Sequence, residues 1–176
     1  MQLGQMKYFL EMKFPLIYSD VVFVFVVGYV LILLFSSSYA RYSFERLWKP
    51  MLVVLLLFFA TCHFHVHYFM WLIPLLSLQI VEDRRFIRLF VVQVLCFVVY
   101  AFQWDRHFFG YLFTPFHFPY FAIDIINPKK FIWQYFEFSD FLGIFRSIFS
   151  GVSFWMIYLV IKRFLQTEKE GKKVEG

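Results

Sequence analysis

Long apolar blocks separated by short charged clusters divide this chain into five predicted membrane spans. The first, 21–35, follows Asp20 and runs into Ser36, Ser37 and Ser38 before Arg41, a charge-free stretch of 20 residues. The second and third, 47–62 and 68–81, are two arms of one hairpin. The fourth, 86–104, is bracketed by Glu82-Asp83-Arg84-Arg85 and Trp104-Asp105-Arg106-His107. The fifth, 141–161, ends at Lys162-Arg163. Between the last two, 105–140 is rich in Phe, Tyr and Pro with scattered charges and fits an interfacial, non-cytoplasmic loop better than another crossing. The predicted fold is therefore all-α, a polytopic transmembrane helical bundle over 1–165. Residues 166–176 form a polar tail predicted to be disordered and cytoplasmic.

The hairpin follows from the length of residues 50–81, which contain no Asp, Glu, Lys or Arg but hold His63, His65 and His67 at their middle. One helix of that length would reach about 48 Å, beyond a hydrocarbon core of about 30 Å, and would set three imidazoles near the bilayer centre. Two shorter arms rising from one side instead put the histidines at a tip in or near the opposite interface, where water or a polar ligand satisfies them.

Composition agrees with the pattern. Of the 176 residues 61% are hydrophobic and 25% aromatic, including 28 Phe, against 16% charged, which is more apolar surface than a soluble domain of this length hides. The net charge of +5 does not point to nucleic acid, because the basic residues stand in short clusters beside apolar runs. Cys62 and Cys96 fall in different runs and predict no disulfide. No cleaved signal peptide is evident at the start.

Counting Lys and Arg by side tests the arrangement. Arg41, Arg46, Lys49, Arg84, Arg85, Arg88, Lys162, Arg163, Lys169, Lys172 and Lys173 fall on one side, and Lys7, Lys13, Arg106, Lys129 and Lys130 on the other. The excess marks the first side as cytoplasmic, with the C-terminus. All five histidines, His107 and His117 included, then share the non-cytoplasmic side with the aromatic loop. The membrane is the plasma membrane of a prokaryote or the endoplasmic reticulum.

The tip admits three readings: interfacial anchoring, a metal or haem site, and ligand binding. Interfacial His, Tyr and Trp anchor spans at headgroup level. His63 and His67 have the i, i+4 spacing of zinc ligands if a helix continues through them, but no nearby Cys or carboxylate completes a set, so no metal is predicted. Haem ligation has less support, since no histidine holds a mid-span position, and no cofactor is predicted. The third reading is ligand binding.

The stretch His65-Val66-His67-Tyr68-Phe69-Met70-Trp71-Leu72-Ile73-Pro74 resembles the motif in which a His, then Tyr-Phe, Trp and Pro, opens a late transmembrane helix in polytopic glycosyltransferases of the GT-C fold. It is most similar to archaeal relatives of glycosylphosphatidylinositol mannosyltransferase I. By hydropathy and loop order the resemblance covers roughly 45–165; only these ten residues are specific. It implies sugar transfer from a polyprenyl-phosphate donor at the outer or lumenal face. The chain departs from the family in its first non-cytoplasmic segment, where Glu11 and Asp20 form no paired acidic motif, and five spans match only a C-terminal half. No catalytic residue is assigned.

Such a half is expected to bind a lipid-linked, phosphate-bearing sugar. Arg146 makes this concrete: it lies about a turn and a half inside the fifth span, where a charge is costly unless it snorkels, is paired or meets a lipid phosphate. The predicted substrate-binding set is His65, His67, Tyr68, Trp104, Arg106, His107 and Arg146. The alternative function is a non-catalytic membrane subunit that docks a second membrane protein through its aromatic loop. No internal repeat points to a transporter.

Overall fold

The computed structural model describes residues 12–15, 21–38, 44–101 and 137–174. Each predicted apolar block carries one helix: α1 (Val24–Ser37), α2 (Phe44–Thr61), α3 (Phe69–Glu82), α4 (Arg85–Ala101) and α5 (Phe138–Val174). The fold is mostly helical. Its one sheet among the described residues pairs β1 (Lys13–Pro15) antiparallel with β2 (Val21–Phe23). That sheet corrects the start of the first span: Val21, Val22 and Phe23 are β-branched or aromatic and take extended backbone. The Met12 N–H then reaches the Thr61 carbonyl at 3.2 Å, tying β1 to the end of α2.

The chain divides into two compact units, Met1–Leu89 with Ser150–Gly176, and Phe90–Phe149. In the first, α2 and α3 form the predicted hairpin. Leu52, Leu56, Phe59 and Ala60 of α2 and Phe69, Leu72 and Leu76 of α3 are buried, at spacings that keep each set on one helical face. Pro50 and Pro74 sit inside these helices, and Pro74 has no N–H to offer the Met70 carbonyl. Ring edges close the top of the hairpin: Phe59 meets Phe64 at 4.7 Å and Phe69 at 5.9 Å between centroids, both near perpendicular.

α1 and the later part of α5 line up with this hairpin. Phe25 packs edge-on against Phe58 near the tip, while Phe35 meets Phe164 near the other end. Gly28 lets α1 approach closely, since a Cβ there would come within 2.6 Å of a Leu57 methyl. The Ser150 hydroxyl donates to the Ala60 carbonyl at 2.8 Å.

The base of the hairpin is held by charge. Lys49 and Glu82 pair across the open ends of α2 and α3 at 3.0 Å. Asp83, extended between α3 and α4, accepts the Arg85 backbone N–H and so caps α4. Its carboxylate also takes a forked contact from the Arg85 guanidinium and a 3.3 Å ion pair from Arg163 of α5. The basic clusters around Lys49, Arg84 and Arg163 thus gather at one end of the unit, as the hairpin requires.

Helix lengths depart from the prediction of five full crossings. Among the described residues, α5 is the one helix long and apolar enough to cross a membrane, over Phe138–Gln166, 29 residues. At 14 residues each, α1 and α3 are about 21 Å long. Helix α5 also continues through Val174, where a disordered tail was expected from Gln166. A helix already under way needs no new nucleus, and the Glu and Lys of this stretch are good helix formers.

Candidate functional site

The tip between α2 and α3 is where the polar groups of the apolar hairpin collect. After α2 the chain leaves helical geometry for Cys62 to His65, then makes one 3-10 turn, Val66–Tyr68, before α3 starts. The helix does not continue through the tip, so the condition for His63 and His67 to share one helical face is not met. Alternation rules instead: Phe64 turns inward and is buried against Phe59, while on either side His63 is half-buried and His65 exposed. The apolar residue between two histidines pins them at the surface.

The exposed His65, His67 and Trp71 and the half-buried His63 and Tyr68 form one row of rings. His65 and His67 lie nearly parallel with centroids 5.8 Å apart. His63 stands edge-on to His65 at 6.0 Å. Tyr68 meets His67 at 4.2 Å and stacks with Trp71 at 5.0 Å, one turn further along. Trp71 is 60% exposed although it belongs to an apolar helix. No acidic or basic side chain other than histidine occurs from 50 to 81. This surface offers imidazole N–H donors to an anion and flat aromatic faces to an apolar or sugar ring. Among the described residues, no three His, Cys, Asp or Glu side chains gather to hold a metal ion.

Of the predicted site residues, His65, His67 and Tyr68 are brought together. Trp71, absent from the predicted set, joins them; its signal was the i, i+3 spacing from Tyr68 on a starting helix. Trp104, Arg106 and His107 lie outside the described residues. Arg146 belongs to the unit Phe90–Phe149, where its guanidinium carbon stands 5.6 Å from the Tyr100 ring centre and 5.8 Å from that of Phe149. Tyr100 of α4 and Phe149, three residues on in α5, are both buried. Two ring faces thus receive a charge that apolar sequence surrounds.

The chain matches no protein family, no curated protein and no solved structure.

At the base, electrostatics are of a different kind. The hydrogen-bonded Arg85 guanidinium outweighs burial and, with help from Arg163, holds the Asp83 carboxyl below its ordinary value of 3.8. There each carboxylate, Glu82 and Asp83, meets a basic side chain of the chain itself.

Proposed function

We propose that this chain is a multi-pass integral membrane protein whose His65, His67, Tyr68 and Trp71 surface binds the headgroup of a polyprenyl-phosphate-linked sugar on the non-cytoplasmic side. The observation that carries the membrane reading is α1, fourteen residues without a charge and without one buried residue. Water does not tolerate such a helix; hydrocarbon does. Helix α5 supports it, since 28% of its most apolar window is buried, too little for the core helix of a soluble protein. Hydroxyl groups behave accordingly. Ser36, Ser77 and Ser147 each donate to the carbonyl four residues earlier, at 2.7 to 2.8 Å, which satisfies them without water. The short helices meet the bilayer through local thinning and their polar flanks.

The headgroup reading rests on the row of imidazole and aromatic rings together with the ten-residue likeness to GT-C glycosyltransferases. Histidine donors suit the phosphate and the Tyr68–Trp71 stack suits a sugar face. The acidic motif needed for transfer is missing from that likeness, so the chain acts as a binding component and does not transfer sugar alone. The second reading, a docking subunit, is favoured by Met70 and Trp71, both strongly exposed beside the histidines.

Binding of a polyprenyl phosphate to the purified chain in nanodiscs decides between them. The native chain should bind it, and the double substitution His65→Ala with His67→Ala should weaken binding about tenfold. Equal affinities would remove the headgroup reading. Sugar turnover by the isolated chain would contradict the assignment as a binding component.

A further inference from the structure

We infer that the base of the hairpin carries a second lipid site: Arg84, Arg88 and Lys162, with Arg85 and Arg163, form a basic rim that binds anionic phospholipid headgroups. The inference rests on the membrane reading and not on the ligand of the tip.

Two clusters far apart in sequence are brought to one place by Asp83, which holds Arg85 at 2.7 Å and Arg163 at 3.3 Å. Arg84 and Arg88 flank the first contact and Lys162 adjoins the second; all three are exposed. Lys49 and Glu82 neutralise each other. Arg84, Arg88 and Lys162 then stand exposed around the pair of arginines that meets Asp83, three further positive charges on one rim.

Apolar exposure immediately beside the charges selects the partner. Val81 is 84% exposed and Ile87 43%, each within four residues of Arg84. The Lys162 ammonium lies 5.7 Å from the ring centre of Tyr158, itself exposed, as a snorkelling side chain does above an apolar stem. A nucleic acid or an acidic protein would leave that apolar border in water. An anionic leaflet covers it with acyl chains and meets the charges with phosphates.

The test uses the full chain reconstituted in phosphatidylcholine bilayers with spin-labelled phosphatidylglycerol or spin-labelled phosphatidylcholine as probe, read by electron paramagnetic resonance. At about 50 mM salt the protein should prefer phosphatidylglycerol about fivefold or more, and the preference should fall towards one at about 0.5 M salt. Arg84→Gln, Arg88→Gln and Lys162→Gln combined should abolish the preference. Arg84→Lys, Arg88→Lys and Lys162→Arg combined should keep it, because the surface attraction reads charge and not the guanidinium fork. His65→Ala with His67→Ala, at the other end, should leave it unchanged. No preference in the native chain, or a preference that survives the triple glutamine variant, would overturn the inference while leaving the membrane reading standing. Release of the native chain from membranes by alkaline carbonate would overturn both.

Discussion

The two ends of the α2–α3 hairpin solve the same problem in opposite ways. Both must place polar groups at the limit of an apolar helix pair. At the base, Lys49 meets Glu82 and Asp83 meets Arg85 and Arg163, so that ion pairs within the chain close the hairpin. At the tip, rings stack on one another, His65 on His67 and Tyr68 on Trp71, with no carboxylate in the stretch. An end whose polar groups are matched internally contributes stability. The tip, which presents imidazoles on a pinned loop, is the end to which the proposed function gives recognition.

Substitutions separate the two roles, beginning with the shared core. Phe59→Ala should cost about 3 to 5 kcal/mol, because Phe59 is fully buried and its ring meets those of Phe58, Phe64 and Phe69. It should also release the tip, seen as faster proteolysis after His65 than in the native chain. Intact tip protection in a destabilised Phe59→Ala protein would mean that Phe64 is not what pins the histidines.

Asp83→Ala comes next. It removes the α4 cap and two arginine contacts, and thermal unfolding in detergent at neutral pH should report a loss of about 2 kcal/mol. The pH dependence has a definite sign. Because the carboxyl is held below 3.8 in the folded chain, the unfolded chain binds the proton more readily, and stability rises with pH. The Asp83 contribution is therefore full well above pH 3.8 and is lost as pH falls through the lowered folded value. The difference between native and Asp83→Ala proteins should shrink in that acid range; a difference that grows there would reverse the assignment.

Ser150→Ala should cost about 1 kcal/mol, the loss of one buried hydroxyl donor to the Ala60 carbonyl between α5 and α2. Smallest of all for stability should be His65→Ala and His67→Ala, within about 0.5 kcal/mol of native, since both side chains are exposed. A large destabilisation from these two would make the tip a structural end like the base.

The comparison also shows what the sequence could and could not reveal. Helix positions were legible, because each predicted apolar span became one helix. The hairpin was legible from the absence of charge in 50–81 together with excess length, and the base from its basic clusters. The β1–β2 pairing was not, since Val21 to Phe23 reads equally well as the start of an apolar helix and no pattern in Lys13 to Pro15 marks that stretch as its partner. His63 and His67 were read at helical spacing, yet the Phe64 side chain found a buried place against Phe59, and burial of one ring set the local backbone. The rings that receive Arg146 were hidden for a similar reason: Tyr100 is forty-six residues away in sequence, and no local pattern announces it.

Labelling of single cysteines tests the central claim that tip and base face opposite sides of a membrane. In a chain with Cys62 and Cys96 replaced by alanine, His65→Cys and Arg84→Cys are each exposed to a membrane-impermeant maleimide in intact cells, before and after permeabilisation. The expected result is labelling of position 65 from outside at once, and of position 84 only after the cytoplasmic side is opened. Labelling of both positions from the same side would contradict the crossing, and with it the assignment of the ring surface to an outer ligand and the basic rim to the cytoplasmic leaflet.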